Sequence, residues 1–282
     1  MKRVMTIQDI SCIGKCSLTV ALPILSAAGL ETAVIPTAVL STHTAFNRFE
    51  FFDLTDKIQP IADHLYEEGF GFDAIYTGYL GSFEQLNTVS NFIDRFRGDG
   101  TLVVIDPVMG DNGKLYAGFD RNFADSMVNL CRKADIIIPN LTESAFLLQM
   151  DKVPQNPDID TVANMLKQLT DLGPRIALMT GVSNEEGKLG AMGYDRVTGN
   201  LFGSFCEHIR ATFHGTGDIF ASAFVGAVLE GAPVDEATET AVEFTSRSIR
   251  ATLADKDGRW YGVNFESALP WYINRLKEAD YE

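Results

Sequence analysis

The sequence is poor in cysteine, histidine and basic residues, and it has no long apolar run. Four cysteines in 282 residues (Cys12, Cys16, Cys131 and Cys206), irregularly spaced, give no disulfide framework in a chain of this size. Cys12 and Cys16 have neither a CxxC spacing nor a neighbouring histidine, which argues against zinc. Lys and Arg total 23 against 38 Asp and Glu, a formal net charge of -15, with the acidic residues spread along the chain. That argues against a nucleic-acid or anionic-membrane surface, so any anionic ligand must be held locally. The longest apolar stretch, 219–229 with one serine, falls well short of the ~20 residues that span a bilayer. Met1-Lys2-Arg3 leads straight into a strand pattern with no signal-like apolar region, so a cytoplasmic protein is expected. No GxxxxGK[ST] string, GxGxxG dinucleotide spacing or GxSxG elbow occurs, which disfavours a P-loop NTPase, a dinucleotide fingerprint and a serine-hydrolase triad.

What is present is enough apolar sequence, 46% against 22% charged, to bury a large core within one globular domain spanning 1–282. Short apolar runs at 4–7, 32–35, 74–77, 102–105, 136–138 and 176–179 alternate with helical patterns at 18–28, 62–68, 83–96, 121–131, 143–150 and 161–172. Strands that read as continuous apolar runs between helices belong to a parallel sheet covered on both faces. Residues 188–206 read instead as an antiparallel hairpin turning at Thr198-Gly199-Asn200, extending one sheet edge. Three helices close the chain, from 218, over 234–253 and over 265–278. The expected fold is α/β, a three-layer αβα sandwich with a mostly parallel central sheet. About ten residues, 8–17, join the first strand to its helix, too few for a separate β lid. Mobile loops at 45–53 and 110–118 are then the candidates for excluding water.

In such sheets ligands bind at the carboxyl ends of the strands. The residues there are polar: Gln8-Asp9-Ile10-Ser11, Ser41-Thr42-His43-Thr44, Gly78-Tyr79-Leu80-Gly81-Ser82, Asp106 to Asp111, Pro139 to Glu143, and Thr180-Gly181. The run His214-Gly215-Thr216-Gly217-Asp218, followed at once by the apolar 219–229 helix, reads as an anion cradle at a buried helix N-terminus. By itself it is equally a helix cap behind a glycine turn. Asp106 and Glu143, beyond two strand ends, could serve Mg2+ on ATP phosphates directly or through water. Asp218 can accept a hydroxyl proton late in phosphoryl transfer, a reaction that needs positioning more than a strong base.

The segments 37–44, 78–82, 106–111, 139–143 and 215–218 together resemble the pyridoxal kinase family of the ribokinase-like superfamily. The resemblance covers nearly the whole chain, and Ser41-Thr42-His43-Thr44 with Gly78-Tyr79-Leu80-Gly81-Ser82 is its more specific part. It implies transfer of the ATP γ-phosphate to the 5'-hydroxymethyl group of a vitamin B6 vitamer. It implies Asp218 as base and Gly215, Thr216 and Gly217 as anion hole. Asp106, Asn140, Glu143, Thr180 and His214 fall to the ATP side, with Asp106, Asp111 and Glu143 toward Mg2+ and room for a monovalent cation. Asp9, Ser11, His43, Thr44, Tyr79 and Asp218 fall to the small-molecule substrate. The family has a serine where this chain has Asp9, with Ser11 two residues on. An aspartate beside a ring nitrogen would favour a protonated pyridine, and capping near Ser17 is its other reading. The resemblance implies a homodimer. A hydroxymethylpyrimidine kinase of the same superfamily and a non-catalytic B6- or nucleotide-binding protein remain as alternatives.

Overall fold

Residues Ala74–Thr77 are buried throughout and Leu102–Ile105 nearly so, as parallel strands covered on both faces require. The computed structural model describes residues 1–278. In chain order the elements are β1 (Arg3–Ile13), α1 (Leu18–Ala27), β2 (Glu31–Thr42), β3 (Phe51–Asp53), α2 (Thr55–Glu67), β4 (Ala74–Thr77), α3 (Phe83–Phe96), β5 (Leu102–Ile105), β6 (Gly110–Asp111), β7 (Lys114–Leu115), α4 (Arg121–Cys131), β8 (Ile136–Ile137), α5 (Leu141–Leu147), α6 (Ile159–Asp171), β9 (Ile176–Val182), β10 (Lys188–Asp195), β11 (Asn200–Glu207), α7 (Thr216–Leu229), α8 (Val234–Ala254) and α9 (Leu269–Glu278). A nine-stranded sheet runs β11-β10-β9-β8-β5-β4-β1-β2-β3, and β6-β7 form a small separate ribbon. Its centre is parallel, from β9 to β2, while β10 and β11 at one edge and β3 at the other are antiparallel.

Side chains alternate between two apolar layers. Met5, Ile7, Ile75, Val103 and Ile105 pack with α2 to α6 on one face. Val4, Tyr76, Val104, Ile136 and Leu178 pack with α1, α7, α8 and α9 on the other. Helix α7 is apolar all round, and ten of its residues are buried, so it lies inside a layer rather than on the surface. Helices α3, α4 and α6 start where side chains of Ser82, Asp120 and Asp158 accept backbone N–H bonds. No helix among the described residues is long and apolar enough to cross a membrane.

Three features depart from the sequence pattern. β1 and β2 run on together past their apolar cores, pairing Ser11 with Leu40 and Ile13 with Thr42, so only Gly14 to Ser17 connect β1 to α1. β3 and the β6-β7 ribbon form inside the two stretches expected to be loops; two or three residues carry too little periodicity to show. α2 begins at Thr55 and carries Pro60 within it, and α5 begins at Leu141 because Asn140 and Glu143 form a capping box.

Candidate active site

The turn before α7 is built around Gly215, the helix N-cap, with φ 80° and ψ 5°. A Cβ there would stand 1.9 Å from the Lys15 carbonyl oxygen, so only glycine allows the turn to lie on the β1-α1 connection. No side chain caps α7, which leaves its first N–H groups and its dipole available to an anion. Gly217 is different: a Cβ there meets no protein atom within 4 Å. The fold does not demand it, and any need for it comes from the ligand side.

Asp218 follows in the first helical turn, and its Oδ2 accepts the Ser17 N–H at 2.9 Å. Ser17 holds φ 51°, a left-handed backbone that costs a non-glycine residue roughly 1–3 kcal/mol and here aims that N–H at the carboxylate. Burial pushes the Asp218 carboxyl up to about 7; the Ser17 N–H opposes the shift and the negative charge of Asp9 adds to it.

A cavity of about 490 Å³ lies against this turn, lined by Asp106, Asp111, Asn140, Glu143, Thr180 and the residues His214 to Asp218. Every residue expected on the ATP side is therefore gathered in one place. Asn140 bridges to Thr180 across the ends of two strands, and its Nδ2 donates to the Gly110 carbonyl at 2.9 Å. Both Glu143 oxygens are occupied by backbone donors, Oε2 by the Asn140 N–H at 2.9 Å and Oε1 by the Met109 N–H at 3.1 Å. Glu143 thus fixes the loop after β5, and its remaining lone pairs are what a cation or its water could use. Asp111 is exposed, on the β6-β7 ribbon. Apolar residues with no strand-end motif, Leu189, Val242 and Ile249, also line the cavity. Val242 and Ile249, seven residues apart on α8, carried the only sequence signal.

Asp106 and Glu143 are deeply buried carboxyls. Burial first, then Glu143 and Asp218, holds Asp106 well above the ordinary carboxylate range. Burial pushes Glu143 up to about 8 against its backbone hydrogen bonds. These raised values fit a cation site, because a divalent ion would remove the repulsion. The described residues contain no group of three or more His, Cys, Asp or Glu placed to hold a metal alone, so phosphate oxygens and water would complete the shell. A carboxyl whose value is raised on folding keeps its proton after the unfolded chain has lost its own. Stability therefore falls as pH rises from the ordinary carboxylate range through about 7 for Asp218 and about 8 for Glu143. The nucleotide- and metal-free protein is expected to melt at lower temperature at pH 8 than at pH 5, and Asp106→Asn to flatten that slope. A Tm independent of pH over this window would show the acids are not held neutral.

Of the residues expected to meet the acceptor, only Asp218 lines the cavity. The β1-β2 register slips between the pairs Gln8–Pro36 and Ile10–Val39, so β2 carries the extra residue and Thr37 and Ala38 stand opposite Asp9. Asp9 is buried, and burial raises its carboxyl despite the Ser17 hydroxyl beside it. Ser11 is fully buried and its hydroxyl lies 3.7 Å from Cys16 Sγ. The Cys16 thiol is pushed up to about 12 by burial, then by Asp218 and Asp9, so it stays protonated. Burial, then Asp9, raises the Tyr79 phenol, and its ring stacks on Phe119 at 5.8 Å. His43 is spoken for: Nδ1 accepts the Ala45 N–H at 3.2 Å, so Nε2 carries the proton and donates it to the Tyr261 carbonyl at 3.0 Å. Its ring nitrogens tie the loop after β2 to the segment before α9 and leave none for an acceptor ring. Thr44 beside it is exposed. Lys15, Ser17 and Tyr261, which organise this group, carried no sequence motif.

The family model described as phosphomethylpyrimidine kinase matches residues 25–261. Curated relatives include a pyridoxal kinase of Dictyostelium discoideum, 26% identical over 96% of either chain. A pyridoxine/pyridoxal/pyridoxamine kinase of Bordetella avium is 26% identical over 89% of this chain and 86% of that one. Among solved structures, a Bacteroides thetaiotaomicron protein provisionally described as a phosphomethylpyrimidine kinase superposes with TM-score 0.92 at 39% identity, covering 95% of this chain and 92% of its own. It has also been solved with pyridoxal, in a form 38% identical to this chain with TM-score 0.91 over 96% of this chain and 95% of that one. The pyridoxal kinase of Lactobacillus plantarum gives 0.90 at 27% identity over the whole of both chains.

Proposed function

From the membership of this chain in the phosphomethylpyrimidine kinase family and the site around Asp218, we propose that it is an ATP-dependent pyridoxal kinase. It would phosphorylate the 5'-hydroxymethyl group of pyridoxal, pyridoxine or pyridoxamine. The observation that carries this reading is the position of Asp218, which lines the cavity with the glycine turn and lies within electrostatic reach of Asp9, itself near Tyr79.

In this reading the acceptor hydroxyl gives its proton to Asp218 as the phosphoryl group arrives. The uncapped N–H groups of the α7 turn hold the charge on that group, fixed in place before the reaction begins. Burial raises the Asp9 carboxyl, and a protonated ring nitrogen beside it would offset that penalty and restore the carboxylate. Asp106 and Asp111, with Glu143 behind them, are the residues that would hold Mg2+, which supplies charge neutralisation on the ATP oxygens. The exposed Val34, Phe51 and Phe52 near the β2-β3 edge support the homodimer that the family implies.

The test is a substrate panel with ATP and Mg2+ comparing the three B6 vitamers, hydroxymethylpyrimidine and ribose. Turnover is expected with the vitamers. Turnover of hydroxymethylpyrimidine alone would favour the reading suggested by the family's description, and binding without product would favour a carrier. Because Asp218 must be ionised to accept a proton, kcat/KM should rise with pH and level off above about 7. A flat acid limb between pH 5.5 and 8 would remove Asp218 as the base.

A further inference from the structure

Trp260 keeps 58% of its surface exposed although the backbone around it is firmly tied down. The next residue, Tyr261, accepts through its carbonyl from His43 Nε2 at 3.0 Å and from the Lys15 N–H at 3.4 Å. Lys15 Nζ reaches Asn264 Oδ1 at 3.2 Å and Glu266 Oε2 at 2.8 Å. Gly262 lies so close that a Cβ would fall 2.4 Å from Lys15 Cβ. The Lys15 carbonyl is also the atom that faces Gly215. One lysine therefore registers the segment 260–266 to the turn that forms the anion hole, while the indole beside it stays open.

The indole meets the Phe46 ring at 4.5 Å and the His43 ring edge-on at 6.1 Å. Phe46 closes the group, 5.0 Å from His43 and 5.8 Å from Tyr261. His43 lies 5.0 Å from His214, and His214 lines the nucleotide cavity whereas Trp260, Phe46 and His43 do not. The aromatic group thus lies outside that cavity and packs on the β1-α1 connection, His43 against Gly14 and Tyr261 on the Lys15 N–H, two residues before the Ser17 N–H that holds Asp218. A tryptophan kept only for packing would bury its large apolar face. A half-open pair of rings from two distant segments suits the face of a flat aromatic ligand.

We propose that Trp260, paired with Phe46, is the outer wall of the acceptor pocket and a specificity-determining contact for a planar heteroaromatic acceptor. This inference rests on the kinase reading above. It deepens that reading by naming what selects the ring.

Steady-state kinetics with pyridoxine and ATP test it on the wild type, Trp260→Ala, Trp260→Phe, Phe46→Ala and the double variant Phe46→Ala with Trp260→Ala. Trp260→Ala should raise the pyridoxine KM about tenfold, the size of one lost aromatic contact, with the ATP KM within twofold of wild type. Trp260→Phe should recover most of the loss, and the double variant should cost less than the sum of its parts because the rings act together. A pyridoxine KM within twofold of wild type overturns the proposal. So does an equal rise in both KM values, which would mark a loosened segment rather than a ring contact. Calorimetric binding of pyridoxine without ATP separates the two claims. A wild type that binds but transfers no phosphate sinks the kinase reading, and the Trp260→Ala Kd still decides the wall. A wild type that does not bind overturns both.

Discussion

Asp218→Asn is expected to lower kcat by on the order of 10²–10⁴ while the ATP KM moves little. The amide is nearly the size of the carboxylate, and its oxygen can still accept the Ser17 N–H that Asp218 accepts at 2.9 Å. The anion turn should therefore keep its shape. What disappears is the ability to take a proton from the acceptor hydroxyl, a step that matters in the transition state and not in nucleotide binding. The variant also removes a raised carboxyl, so its melting temperature at pH 8 should equal or exceed that of the parent. A variant with unchanged kcat would place the base elsewhere. One that lost ATP affinity in step with kcat would make Asp218 a binding residue.

The second large effect is expected at Gly215. Alanine there must adopt φ 80° and place its Cβ 1.9 Å from the Lys15 carbonyl oxygen. Backbone strain of about 1–3 kcal/mol adds to overpacking of about 1–3 kcal/mol, so Gly215→Ala should lose a few kcal/mol of stability. Moving the turn displaces the uncapped N–H groups proposed to meet the phosphate, and it pushes on Lys15, two residues from the N–H that fixes Asp218. Activity should fall further than stability alone explains. Gly217→Ala is the matched control, because its Cβ meets no protein atom within 4 Å. It should melt within a degree or two of wild type, and any loss of turnover then reports crowding of the phosphate. Equal destabilisation by the two alanines, measured by chemical unfolding, would mean that close contact with Lys15 is not what Gly215 serves.

Where local pattern suffices, sequence and structure agree to the residue. Strands 74–77 and 102–105 and helices 83–96 and 121–131 have the bounds their apolar spacing predicts, and Ser82 and Asp120 cap the helices. The hairpin at 188–206 and its turn are likewise present. Disagreement begins where an element depends on a distant neighbour. β1 reaches Ile13 because β2 runs alongside it, and β3 exists because β2 offers a free edge at Val39 and Leu40. The same holds in the site. Asp106, Asn140, Glu143, Thr180 and the 214–218 run line one cavity, as their places after strands suggest. His43, read from the sequence as a ring contact, instead gives both nitrogens to backbone groups, one of them on Tyr261 far along the chain. Lys15 and Ser17 show nothing locally, since their work is done on Gly215 and Asp218.

The sequence by itself determined the layered α/β fold, the strand ends that line the cavity and the glycine turn before α7, because apolar periodicity, glycine and strand-end polarity are local signals. Only the tertiary structure decided how Asp218 is held and raised, why Gly215 but not Gly217 is sterically required, and which backbone groups take the His43 ring nitrogens. Those depend on contacts between residues more than two hundred positions apart, Ser17 with Asp218 and His43 with Tyr261, which no spacing rule along the chain can encode.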